Sequence, residues 1–167
     1  HLRRLLRTSD RTREIVSIRE REQEEPFDLA AVAAEQVAQI RETYPSAQVT
    51  VNADVDVTVR AHAALPRAIR EALTNAIEHN AEGVEVTVTV DETADGSGLV
   101  EIADTGEGIP KFDVEAIEGT EETPLRHTQG LGLWIIYWAV EMSGGTLELL
   151  ESTPRGTVVR ITLPRAG

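Results

Sequence analysis

The 167-residue chain contains no cysteine, which excludes disulfide bonds and metal sites built from thiolates. No apolar run approaches the roughly 20 residues that a membrane-spanning helix needs, and the arginine-rich start lacks the apolar centre of a signal peptide. The four histidines are too scattered to suggest a zinc site. Because 41% of the residues are apolar, the chain can form the core of one compact domain. We expect it to be cytoplasmic, whether its parent protein is soluble or membrane-anchored.

Lysine is almost absent, since Lys111 is the only lysine among 16 basic residues. The 29 acidic residues give a net charge of −13, which argues against nucleic acid as a partner. A surface rich in carboxylates and poor in lysine is typical of proteins that work in concentrated salt, where charge repulsion is screened within about 3 Å at 1 M. An ordinary acidic protein from a GC-rich genome is the alternative.

The first 21 residues differ from the rest, because they hold seven arginines against three acidic residues, a net charge of +4. Their apolar residues are spaced near a helical stripe, which predicts a long polar helix over residues 1–22 that ends before Pro26. So thin an apolar stripe needs a partner helix. Residues 1–25 are therefore predicted to form a separate element, although a solvated helix face would also explain the charges.

The remaining residues alternate between helical and strand patterns. Helices are predicted at 28–43, where Asp28 is the N-cap, at 62–80 and at 131–142. Strands are predicted at 48–52, 55–60, 84–91, 98–103, 146–152 and 157–163. Residues 110–129 have no clear period and are predicted to be a mobile loop. This order favours a two-layer α/β (α+β) sandwich with a mixed sheet.

Three short segments carry groups that suit a nucleotide with a bound Mg²⁺. They are residues 71–80 (EALTNAIEHN), residues 104–110 (DTGEGIP) and residues 130–134 (GLGLW). In the first segment Glu71 and Asn75 lie one helical turn apart, so their oxygens can converge on one hard cation. The same spacing also occurs on ordinary solvated helix faces.

The other two segments are built around glycine. Asp104 ends a predicted strand, where its carboxylate can accept a hydrogen bond from the amine of adenine, and Gly106 and Gly108 allow close approach of a ligand. A plain tight turn is the alternative. Gly130 and Gly132 open an apolar helix whose free N–H groups would face a phosphate. Close packing of that helix against a neighbour would also require glycine.

Together, the three segments resemble the N, G1 and G2 boxes of the histidine-kinase-like ATPases, which include sensor histidine kinases, type II topoisomerases, the 90-kDa heat-shock chaperones and mismatch-repair ATPases. The resemblance covers residues 26–167. It implies a mixed, largely antiparallel sheet covered by three helices on one face, with ATP between the helices and a lid at residues 110–129. Residues 123–127 and the glycines after them are especially similar to sensor kinases of haloarchaea.

The resemblance also implies roles for individual residues. Asn75 would be the catalytic asparagine that binds Mg²⁺, and Asp104 would bind adenine. From its spacing to Asn75, Glu71 is the second candidate for a metal ligand and catalytic residue. The positions that would line the nucleotide through a glycine-rich backbone are Gly106, Gly108, Gly130, Leu131 and Gly132.

Three departures from the family pattern affect these roles. Many sensor kinases have asparagine at the position of Glu71, and many have lysine at the position of Glu78. Loss of that lysine removes a cation from the phosphate site, and Lys111, Arg126 or His127 are candidates to replace it. The phenylalanine-rich box usual in the lid is not recognisable.

The phosphoacceptor motif of sensor kinases, His-Glu/Asp-x-Arg-x-Pro, is also missing. His1 is followed by Leu-Arg-Arg-Leu, so we expect the acceptor histidine to lie outside this chain. Residues 1–25 then resemble the second helix of a dimerisation hairpin. The implied partners are a phosphoacceptor-histidine domain, a response regulator and, in the parent protein, a second copy of the chain.

The function predicted from these observations is the catalytic domain of a sensor histidine kinase, which transfers the γ-phosphoryl of Mg-ATP to a histidine. One alternative is an ATP hydrolase of the same group, in which Glu71 would be the general base. Another is a nucleotide-binding or dimerisation module without transfer activity, which Glu78 and the poorly matched lid suggest.

Overall fold

The computed structural model of the chain describes residues 2–4, 24–78, 83–106, 128–151 and 156–166. The helices within these residues are α1 (Leu29–Thr43), α2 (Leu65–Glu78) and α3 (Thr128–Met142). The strands are β1 (Leu2–Arg4), β2 (Glu24–Asp28), β3 (Gln48–Asn52), β4 (Thr58–His62), β5 (Glu85–Glu92), β6 (Gly98–Asp104), β7 (Thr146–Glu151) and β8 (Thr157–Leu163). Among the described helices, none is both long and apolar enough to cross a membrane.

Six strands form one mixed sheet in the order β1-β7-β8-β6-β5-β3. Only the β3–β5 pair within this sheet is parallel, and its other described pairs are antiparallel. One face of the sheet is buried: Val88, Ile102 and Val159 lie opposite one another on β5, β6 and β8. Residues on alternate positions of these strands face away from the helices and are partly exposed. The predicted two-layer α/β sandwich is confirmed.

The three helices pack over the buried face, and α2 lies between α1 and α3. Leu65, Ile69 and Leu73 are almost fully buried along the inner face of α2. Burial of each such side chain contributes roughly 1.5–3 kcal/mol. This apolar face fixes the rotation of α2, and with it the direction in which the adjoining polar face points.

Helix α1 begins and ends where the sequence predicts. The Asp28 carboxylate accepts a hydrogen bond from the backbone N–H of Ala31 at 3.3 Å, which confirms Asp28 as the N-cap. At the other end, Tyr44 is the C-cap residue, and Pro45 follows it in a turn. Proline suits this position because the residue before it is pushed away from helical geometry. Tyr44 is thereby held at the end of α1, next to α2.

The strand predicted at 55–60 lies at 58–62 instead. Residues 53–57 have no strand partner, whereas β4 pairs with β2 in a separate two-stranded sheet. The backbone of Pro164 and Ala166 makes further hydrogen bonds to β4. The position of β4 is therefore set by partners that are distant in sequence, which local alternation of side chains does not reveal.

The helix predicted over residues 1–22 differs from the structure at its start. Leu2–Arg4 form an extended strand antiparallel to β7, and Glu24–Asp28 form β2 rather than a linker after a helix. The edge of β7 has backbone N–H and C=O groups that need hydrogen-bond partners. An extended segment can supply these partners whatever the spacing of its apolar residues. Residues 5–23 lie outside the described residues, as does most of the predicted lid at 110–129. For both segments the sequence-based assignment stays a prediction.

Replacing Asp28 by alanine should lower the free energy of unfolding by about 1 kcal/mol, because the N–H groups of the first turn of α1 lose their acceptor. Asp28→Asn should retain most of the stability, since the asparagine oxygen also caps. Urea denaturation measures both changes. Equal losses in the two variants would mean that the charge of Asp28, not its capping bond, stabilises α1.

Candidate functional site

The polar face of α2 carries Glu71, Asn75 and Glu78. At 3.6 residues per turn these positions fall within about 60° of one another around the helix. Glu71 and Asn75 are partly buried, whereas Glu78 at the end of the helix is exposed. The three positions adjoin the buried face of α2. The face provides a row of carboxylate and amide oxygens, which are hard donors suited to Mg²⁺.

Asn75 lies directly against helix α3. A Cβ atom built on Gly132 would stand 3.1 Å from Asn75 Oδ1 and 3.2 Å from Nδ2. The Nδ2 atom is buried, and none of the described residues accepts a hydrogen bond from it. An unsatisfied buried donor costs roughly 1–3 kcal/mol, so this amide is the kind of group that a bound ligand would satisfy.

The contact decides between the two sequence-based interpretations of Gly132. Helix α3 begins at Thr128, three residues earlier than predicted, so Gly132 lies in its second turn rather than at its open end. The structure thus favours close packing as the reason for glycine at this position. Gly130 lies in the first turn, where backbone N–H groups lack partners within the helix, and Leu131 is the first residue whose N–H reaches a carbonyl one turn earlier.

Asp104 is the last residue of β6. Its carboxylate accepts a hydrogen bond from the backbone N–H of Gly106 at 2.9 Å, which closes the turn after the strand. In the sheet Asp104 lies opposite Val86 on one side and Thr157 on the other. Residues directly opposite share a face, and Thr157 is on the buried, helix-covered face. The Asp104 side chain therefore points into the layer that contains α2.

Gly156 and Thr157 are residues that the sequence-based reasoning missed. Gly156 has φ +115°, and a Cβ there would lie 2.1 Å from the carbonyl oxygen of Asp104. The Thr157 hydroxyl is buried and has no hydrogen-bond partner among the described residues. The sequence showed only a turn before a strand at this point. The available signal was a Gly-Thr pair at the start of a strand, which becomes informative only when that strand lies beside Asp104.

Glu71 is accompanied by Arg67, one turn earlier on α2. The Arg67 Nε atom lies 3.8 Å from Glu71 Oε1, at the long end of the range for an ion pair. More than half of the Arg67 side chain is exposed to solvent, so the pair contributes little to stability. A 3.8 Å contact is too long for a strong hydrogen bond, and it leaves Glu71 able to bind another cation.

The hydroxyl of Tyr44 donates a hydrogen bond to the Glu78 carboxylate. This bond raises the pKa of Tyr44 to about 12, with smaller contributions from burial and from the negative charges of Glu78 and Glu71. The phenol therefore stays protonated at neutral pH and remains a donor. The hydrogen bond also places the Tyr44 hydroxyl beside the end of α2.

Several predicted site residues cannot be placed. Four of them lie outside the described residues: Gly108, Lys111, Arg126 and His127. Within the part of the chain that is described, no three histidine or acidic side chains gather as a metal site would require. A Mg²⁺ ion bound with a nucleotide keeps several waters and needs only one or two protein ligands, so Glu71 and Asn75 remain the fitting donors.

The contact between Gly132 and Asn75 predicts a coupling in stability. Gly132→Ala should be about 1 kcal/mol less costly in an Asn75→Ala background than in the unaltered chain, because the smaller side chain makes room for the new methyl group. Urea denaturation of the single and double variants measures the difference. A Cβ on Gly144 has nothing within 4 Å, so Gly144→Ala should show no coupling to Asn75→Ala. Additive effects of Gly132→Ala and Asn75→Ala would contradict the contact.

Proteins similar in sequence are sensor histidine kinases. YclK of Bacillus subtilis is 41% identical over 73 residues, which are 40% of this chain and 15% of YclK. ZraS of Klebsiella oxytoca is 34% identical over 86 residues, which are 52% of this chain and 18% of ZraS. The chain thus matches less than a fifth of the length of these relatives. Both are bacterial, so they do not support the expected haloarchaeal origin.

Solved structures share the fold. The ATP-binding domain of PrrB from Mycobacterium tuberculosis matches with a TM-score of 0.69 and 21% identity, over 87% of this chain and 99% of that one. In sequence, residues 60–167 match the family described as "Histidine kinase-, DNA gyrase B-, and HSP90-like ATPase". That match covers α2, Asp104, Gly132 and Thr157. The chain belongs to this family of ATPases.

Proposed function

We propose that the chain is the ATP-binding catalytic domain of a sensor histidine kinase, which transfers the γ-phosphoryl group of ATP to a histidine outside this chain. The observation that carries the proposal is the Asn75 amide, buried against Gly132 with an unsatisfied donor, on the polar face of α2. Membership of the ATPase family and the similarity to sensor kinases support it.

The adenine base would bind at the end of β6. Asp104 offers a carboxylate oxygen to the exocyclic amine, and the neighbouring Thr157 offers a hydroxyl that has no partner among the described residues. Glycine at position 156 keeps Asp104 in place, because any side chain there would displace the Asp104 carbonyl and the turn that follows. Gly106, and Gly108 from the sequence pattern, would keep the turn open for the base.

The phosphates would lie between α2 and the first turn of α3, near Asn75. The residues present fit a Mg²⁺ ion, since Asn75 Oδ1 and the Glu71 carboxylate are both oxygen donors on one helix face. When bound, the ion would neutralise charge on the phosphates. Asn75 would orient the nucleotide, and the first turn of α3, with the N–H group of Gly130 and with Leu131 next to it, would face phosphate oxygens. Lys111, Arg126 and His127 remain candidates for a further cation.

Phosphoryl transfer requires positioning more than covalent chemistry from the protein. The bond between the γ-phosphorus and its bridging oxygen breaks, ADP leaves, and a bond forms from the phosphorus to a ring nitrogen of the acceptor histidine. The chain would hold the nucleotide in line with that nitrogen. The partners in this proposal are a phosphoacceptor-histidine domain, a response regulator and a second copy of the parent protein, all on the cytoplasmic side.

Asp104→Asn should weaken ADP binding by roughly tenfold or more, because an acceptor oxygen facing the adenine amine is replaced by a donor, at a cost of about 1–3 kcal/mol. Titration calorimetry measures the affinity. Asp54→Asn is the matched control, since Asp54 is exposed and lies in residues 53–57, outside the strands. Unchanged ADP affinity in Asp104→Asn would remove Asp104 from the site.

The chain alone should bind ATP but not acquire phosphate on its own histidines. Fused to the dimerisation and phosphoacceptor hairpin of a sensor kinase, it should label the hairpin histidine from γ-labelled ATP, because an oriented acceptor lowers the barrier by roughly 7–11 kcal/mol. Acid-labile, base-stable label reports phosphohistidine.

Two results would contradict this prediction. Stoichiometric label on His1, His62, His79 or His127 would show that the chain carries its own acceptor. Hydrolysis of ATP without label on the supplied histidine, abolished by Glu71→Gln, would favour the hydrolase alternative.

A further inference from the structure

The inference concerns the acidic residue at the end of α2, and it rests on the proposed binding of ATP. Glu78 lies on the same helix face as Asn75 and one turn beyond it, where a freely moving carboxylate would come close to bound phosphates. Glu78 is exposed, so no packing of its own fixes the side chain. The Tyr44 hydroxyl donates a hydrogen bond to the Glu78 carboxylate, and this bond holds the carboxylate in place.

Tyr44 contacts α2 from the side of α1. It is the C-cap residue of α1, and its ring packs against the core. Helix α2 lies between α1 and α3, so Asn75 is directed towards α3 while Glu78 is held towards α1. The two residues are close on the helix, yet Asn75 contacts α3 and Glu78 contacts the end of α1.

We propose that Tyr44 is a positioning residue for nucleotide binding, which holds the Glu78 carboxylate against α1 and away from the phosphate site beside Asn75. The chain thereby tolerates an acidic residue one turn from its phosphate-binding amide. Tyr44 acts through Glu78 and does not touch the nucleotide. Its rigid ring, anchored by the core and by the turn at Pro45, suits this role better than a flexible donor would.

The proposal predicts a loss that depends on phosphate charge. A carboxylate released from Tyr44 repels each phosphate through a partly screened Coulomb interaction, which in Mg²⁺-free buffer should weaken ATP binding about fivefold. ADP should lose less than ATP, and adenosine should be unaffected. Because the Debye length falls from about 10 Å at 0.1 M to about 3 Å at 1 M, the loss should shrink as salt is added.

The experiment measures the affinities of adenosine, ADP and ATP for the full chain and for Tyr44→Phe, Glu78→Gln and the double variant. Phenylalanine keeps the ring and removes only the donor. In the double variant ATP should bind as tightly as in Glu78→Gln alone, because no charge is left to release. Glu35→Gln, at an exposed position on α1, is the control for loss of one negative charge elsewhere. Thermal unfolding confirms that each variant is folded.

The outcomes separate this inference from the proposed function. If Asp104→Asn weakens binding but Tyr44→Phe does not, the positioning role is wrong and the ATP site stands. Equal losses for adenosine and ATP in Tyr44→Phe, or a loss that persists when Glu78 is Gln, would make Tyr44 a structural residue only. If the unaltered chain binds none of the three ligands, the proposed function and this inference are both overturned.

Discussion

The contact between Asn75 and Gly132 is the constraint on which the candidate site depends. It brings α2 and α3 so close that the Cβ of any side chain at position 132 would stand 3.1 Å from the Asn75 amide oxygen. The cost of the contact is a buried N–H group without a partner among the described residues. A fold that keeps such a group at a helix interface gains from it only when a ligand satisfies the donor.

A second close approach organises the other end of the site. Gly156 allows β8 to begin directly beneath the Asp104 carbonyl, and Thr157 is the strand partner of Asp104. The start of β8 thus packs against the turn at Asp104, and α2 carries the Asn75 amide. Both polar groups are held by elements that lie far apart in the sequence, so the site forms only when the two layers pack together.

Most of the elements could be predicted from the sequence because their patterns are local. Asp28, Pro45 and the Ser-Gly-Gly turn after α3 mark helix ends through backbone chemistry that does not depend on the rest of the fold. The strands at 48–52 and 157–163 alternate clearly. By contrast, β4 begins later in the sequence than its alternation predicts, because it pairs with β2. Leu2–Arg4 pair with the edge strand β7 although their spacing is helical. Strand pairing depends on distant partners, which periodicity cannot reveal.

The sequence by itself determined which residues are candidates for the site, since Glu71, Asn75, Asp104 and the glycines stand out by residue type and spacing. Only the tertiary structure decided what Gly132 and Gly156 do and where the Glu78 carboxylate points. Gly132 makes room for Asn75, Gly156 makes room for Asp104, and Tyr44 draws Glu78 towards α1. The physical reason is that contact distances of 2–4 Å between separate elements are set by how the layers pack, which no local pattern encodes.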